Sequence, residues 1–186
     1  MRQYKVRLRF VNVRKTKLGD YRRPTFGRMY HSISVDGTLG REYCLLVLLH
    51  EMAHLVACVK YVRISRPHGY EWQTEYASLL SEYVDAGAFS DDVSKLISKY
   101  VSHIPLNRSV AMELECLLRN YGVQSDNTLK CLNDLHEGDH FVLVDYPDTV
   151  FRVIKKRRTR WLCRDLQRDV DCLVRGCASV RLFVDV

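Results

Sequence analysis

At 186 residues, with 47% hydrophobic side chains and a net charge of +7, the chain can form one domain or two small ones around a sizeable core, and its charge favours an anionic partner, nucleic acid first. Its seven cysteines are odd in number and lack paired spacing, which argues against a disulfide scaffold and for reduced thiols in a cytoplasm. Met1-Arg2-Gln3-Tyr4-Lys5 leads into alternating residues instead of a signal-peptide apolar block, so a cytoplasmic protein is expected.

Tyr4, Val6, Leu8 and Phe10 alternate with Lys5, Arg7 and Arg9, the period of a half-buried strand. After a turn-rich stretch, Ile33 and Val35 suggest a short strand closed by Asp36-Gly37, one that could pair an extended peptide. No Gly or Pro interrupts the chain from Arg41 to Ser65, and a long helix is expected over about Arg41 to Tyr61. It is no membrane span, because an acidic side chain at mid-bilayer costs roughly 2.5–3.5 kcal/mol. Trp72, Tyr76, Leu79, Leu80 and Tyr83 recur at helical spacing over about Glu71 to Tyr83. Ser90 suits the N-cap of a third helix with Val93, Leu96, Ile97 and Tyr100 inward, and a fourth is expected from Val110 to Asn120, stopped by Gly122. Beyond Ser125-Asp126-Asn127 the pattern becomes five short β-type runs, Phe141 to Val144, Val150 to Ile154, Thr159 to Cys163, Asp171 to Val174 and Val180 to Val184. They read as a curled sheet or miniature barrel.

Within the long helix stands His50-Glu51-Met52-Ala53-His54. Positions i and i+4 share a helix face, so both imidazoles can address one zinc ion, with Glu51 placed to act as a base. His136-Glu137-Gly138-Asp139-His140 fits the same five-residue template, but its Gly-Asp dipeptide predicts a turn. Catalytic zinc usually takes three protein ligands. Ala57 and Lys60 stand where a metzincin needs glycine and histidine, which excludes that class. His68, beside Gly69, is the stronger third candidate; Glu71 or Glu75 would serve in a thermolysin-like layout.

His50-Glu51-Met52-Ala53-His54 followed by His68-Gly69-Tyr70-Glu71-Trp72 resembles the SprT-like family of zinc metallopeptidases, which includes the Spartan proteases. The resemblance covers about residues 1 to 85. It implies one zinc per chain held by His50, His54 and His68, with Glu51 as general base. The tail from Gly138 to Val184 is similar to the end of certain bacterial relatives, although Cys163, Cys172 and Cys177 lack the spacing of a zinc ribbon and read as core residues. The implied fold is α+β: a zincin-like domain over 1–102 with a small antiparallel sheet and active-site helices, a helical connector over 103–133, and a basic β-barrel-like unit over 134–186.

Arg152, Lys155, Lys156, Arg157, Arg158 and Arg160 beside Trp161 could form a phosphate-contacting ridge with an aromatic for base stacking, or a solvated strand face over a buried Trp161. The resulting expectation is a soluble zinc endopeptidase acting on a protein or peptide, with DNA-associated proteins the class the resemblance suggests. The rival of another class is a non-catalytic nucleic-acid- or protein-binding module with a structural zinc, against which an intact Glu51 argues. A regulatory protease cleaving one transcription factor is a third reading. Tyr70, Tyr30 and His31 are candidates, by chemistry alone, for stabilising an oxyanion.

Overall fold

Ile33 and Val35 are buried at the centre of a three-stranded sheet in the computed structural model, which describes residues 4–12, 17–62, 64, 66–121, 129–158 and 160–183. The chain divides into two compact units, residues 1–111 and 112–186. The first contains β1 (Val6–Val11), β2 (Gly19–Arg22) and β3 (His31–Asp36), then α1 (Arg41–Lys60), α2 (Tyr70–Asp85) and α3 (Asp91–Val101). The division falls inside α4 (Arg108–Tyr121).

The sheet order is β1-β3-β2, and its two pairings differ in sense. β2 runs antiparallel to β3, as expected of the small sheet, whereas β1 runs parallel to it. No hairpin joins β1 to β3; the chain between them crosses over and supplies β2. β3 therefore has no free edge, so the stretch Ile33 to Val35 cannot pair an extended peptide. β1 also departs from the half-buried pattern: Val6, Leu8 and Phe10 remain 46%, 44% and 59% exposed. The reason is position, since α1 packs on β2 and β3 and leaves β1 at the far edge.

α1 is long and apolar enough, by length and composition, to cross a membrane. Here it is the central helix of its unit, packed on α2, β2 and β3 with Val47, Leu49, Ala53 and Ala57 buried. α3 buries Val93 and Ile97, as its spacing predicts. Its N-terminus is capped differently from expectation. The Ser90 hydroxyl makes no cap bond; its backbone N–H and its hydroxyl both donate to the Glu42 carboxylate on α1. That bond ties two helices as well as filling an orphan donor.

The second unit holds β4 (Leu129–Cys131), a single 3-10 turn (Leu132–Asp134), β5 (His140–Leu143), β6 (Tyr146–Lys156), β7 (Arg160–Asp165), β8 (Val170–Arg175) and β9 (Ser179–Leu182). They form one antiparallel sheet of order β4-β9-β5-β6-β7-β8. Phe141, Phe151, Val153, Trp161, Cys163 and Val180 form its core, joined by Leu132 and Leu135. The overall α+β architecture is the expected one. The expected stop at Gly122 and the Ser125-Asp126-Asn127 turn lie outside the described residues, as do Thr159 and Val184.

Candidate metal centre

One turn of α1 separates His50 from His54, so both rings leave the same face. His68 enters from the loop ahead of α2. Its Nε2 lies 3.1 Å from Nε2 of His54 and 3.2 Å from Nε2 of His50. Two nitrogens bound to one tetrahedral zinc at about 2.0–2.1 Å would lie about 3.3–3.4 Å apart, so this spacing fits a shared ion. Hydrogen bonding alone does not account for it. A neutral imidazole nitrogen is either donor or acceptor, and Nε2 of His68 faces two others at once. Among the described residues these three donors form a group lying entirely within 4.8 Å. Burial, reinforced by the neighbouring imidazoles, pushes His50 down to about 3. Burial, then the charge of His68, pushes His54 down to about 4, and burial lowers His68 as well. All three are held below the ordinary imidazole value, which favours the neutral form that binds a metal.

The structure brings His68, and neither glutamate, into this group. Glu75 Oε1 accepts from Lys60 Nζ at 2.7 Å and from the Tyr61 hydroxyl at 2.8 Å. Glu71 has a buried Oε2 without a hydrogen-bond partner among the described residues.

Three supports are not legible in the sequence pattern. The Trp72 ring lies 4.7, 5.4 and 4.6 Å from the rings of His50, His54 and His68, and its N–H donates to the His50 carbonyl at 3.4 Å. Gln73 pins the loop carrying His68: its Nε2 donates to the His68 carbonyl at 3.0 Å, while its Oε1 accepts from the Leu106 N–H at 2.8 Å. Tyr21 on β2 lies parallel to His54, with ring centroids 6.2 Å apart, and its hydroxyl sits 2.9 Å from Nδ1 of His31.

Glu51 is buried, and β2 passes directly against it. A Cβ placed on Gly19 would stand 2.6 Å from Glu51 Oε1 and 2.8 Å from Val47 Cγ1. Glycine is therefore the residue that leaves the carboxylate its place. Of the candidate oxyanion groups, Tyr70 is exposed, the Tyr30 hydroxyl accepts from Arg7 at 3.3 Å, and His31 is paired with Tyr21.

The second five-residue match is a turn. Gly138 has φ +95°, and the His136 N–H donates to Asp139 Oδ2 at 2.7 Å. Arg152, Lys155, Lys156, Arg157, Arg158 and Arg160 are exposed along β6, its hairpin and β7. Trp161 does not join them as a stacking surface. Its ring is buried in the core and its N–H donates to Asn133 Oδ1 at 2.9 Å, which overturns the base-stacking reading.

Residues 3–86 match the sequence model of the SprT-like family. No curated protein and no solved structure matches the chain.

Proposed function

Because residues 3–86 belong to the SprT-like family, we propose that this protein is a zinc-dependent endopeptidase. The observation that carries the reading is the convergence of three imidazoles within reach of one ion, on a site whose helix places the buried Glu51 next after His50. His50, His54 and His68 would hold the ion. An ion held there would supply Lewis acidity towards a peptide carbonyl and would lower the pKa of water from 15.7 towards about 7.

The chain's own residues supply the rest. Glu51 takes the proton from the attacking water and delivers it to the departing amine, and the glycine at 19 keeps that carboxylate in place. Trp72 covers the imidazoles on one side and Gln73 fixes the approach of His68, so the ligands are oriented before an ion arrives. β2 is an edge strand beside Glu51 and His54, and its outer edge is suited to pairing with extended substrate backbone.

The experiment is metal removal and restoration. Purified protein should contain about one zinc per chain, lose cleavage of a protein substrate on chelation and regain it on addition of zinc. Full activity in zinc-free protein would reject the reading. A zinc-loaded protein without any peptidase activity would favour the binding-module alternative.

The substrate class we propose is protein associated with nucleic acid. The six basic side chains from Arg152 to Arg160 support it: among the described residues none is ion-paired. A cytoplasmic location completes the proposal, in keeping with seven free thiols.

A further inference from the structure

Three cysteines meet in the second unit. Cys116 stands on α4, Cys131 ends β4, and Cys177 lies in the turn between β8 and β9. The backbone joins the last two segments. Cys131 pairs with Ser179, and the N–H groups of Leu132 and Asn133 donate to the carbonyls of Ala178 at 3.0 Å and Gly176 at 2.9 Å, bracketing Cys177. Cys116 Sγ lies 3.9 Å from the same Gly176 carbonyl and is hydrogen-bonded with the thiols of both Cys131 and Cys177. Cys131 and Cys177 are buried, while Cys116 is half-buried.

The three sulfurs form a chain with Cys116 in the middle. A metal needs all its donors mutually close, and among the described residues the imidazoles make such a group while these thiols do not. A disulfide needs one sulfur within reach of another. We propose that Cys116 and Cys177 form a peroxide-responsive dithiol, which closes to a disulfide tying α4 to the β8–β9 turn.

The local electrostatics suit the step. The hydrogen bond from Cys116 holds Cys177 below the usual thiol range against the opposing effect of burial, while Cys116 itself is pushed up by its contacts with Cys131 and Cys177. The Cys177 thiolate attacks one oxygen of hydrogen peroxide; the O–O bond breaks, hydroxide leaves and is protonated to water, and Cys177 becomes a sulfenic acid. The Cys116 sulfur then attacks that sulfur. The S–O bond breaks, and the hydroxyl leaves as a second water with the Cys116 proton. Two thiols have lost two electrons to one peroxide.

The test treats full-length reduced protein with hydrogen peroxide, alkylates the remaining thiols and maps peptides without reductant. Free thiols should fall from the seven present to about five, with a Cys116–Cys177 linkage that dithiothreitol reverses. Cys116→Ser and Cys177→Ser should each abolish the linkage, whereas Cys163→Ser should retain it. Mapping of the unmutated protein keeps the test decisive if a variant fails to fold. Seven thiols surviving, or a map dominated by Cys116–Cys131, would overturn the assignment. So would a thiol-bound metal in the reduced protein that Cys177→Ser removes.

Discussion

Gly19 lacks a side chain where the Glu51 carboxylate needs the room. Gly19→Ala should leave zinc content unchanged but displace the carboxylate, lowering turnover about tenfold or more, since a 1 Å misplacement can cost about 10²-fold. Steady-state kinetics and metal analysis on one preparation check this, and turnover equal to the parent's would mean that Glu51 tolerates the shift. The glutamates of α2 make a contrast. His68→Ala should weaken zinc binding far more than Glu75→Ala, because Glu75 bonds Lys60 and Tyr61 instead of facing the imidazoles. Competition against a zinc chelator ranks the two variants, and the reverse order would point to a thermolysin-like site. Protonation gives a third expectation, for metal-free protein. His50 and His54 lie below their ordinary value of 6.5, so the unfolded chain takes up protons first as pH falls. Their contribution to stability is intact above about pH 6.5 and is lost on descent towards about 4 to 3. Denaturant melts of chelated protein should show that slope, and His50→Gln with His54→Gln should flatten it.

At the scale of elements, Trp72 bonds the backbone of α1 at His50 while Gln73 pins the loop before α2 at His68. Trp72→Ala removes a buried ring that touches all three imidazoles, so it should cost about 3–5 kcal/mol of stability and weaken zinc binding as well. Denaturant titration of the zinc-loaded protein measures the first effect; a loss below about 1 kcal/mol would mean the ring is not the platform described. His50 and His54 are readable in the sequence because helical spacing alone puts them on one face. His68 is readable from residue chemistry and family resemblance, but its approach depends on a loop whose geometry no period encodes. The supporting role of Trp72 and the parts played by Gly19 and Tyr21 are not readable. The four residues of β2 carry no clear alternation, and their contact with α1 exists only after the sheet has formed. For the same reason the centre of the sheet reads in the sequence as its edge: Ile33 and Val35 announce a strand, while the order β1-β3-β2 is set by a crossover between distant segments. Trp161 shows the limit of composition. A tryptophan among arginines reads equally as a stacking platform or a core residue, and strand register decides for the core.

For the whole molecule, the two units divide the properties. Residues 1–111 contain the imidazole group, and residues 112–186 contain the exposed basic run from Arg152 to Arg160. Replacing Arg157, Arg158 and Arg160 with alanine should weaken nucleic-acid binding and reduce its dependence on log salt by about one unit for each phosphate no longer neutralised. Cleavage of a short peptide should be unaffected. Fluorescence anisotropy with a single-stranded oligonucleotide across a salt series decides it, and identical slopes for parent and variant would leave the run as a solvated face. The central claim, that the imidazole group and Glu51 form a hydrolytic zinc centre, has a more direct test in Glu51→Gln, with zinc content and peptide-cleavage rate measured on the same sample. Parent and variant should both hold about one zinc per chain, with the variant's rate lowered about 10²–10⁴-fold by loss of the base. Unchanged turnover in the zinc-loaded variant would contradict it.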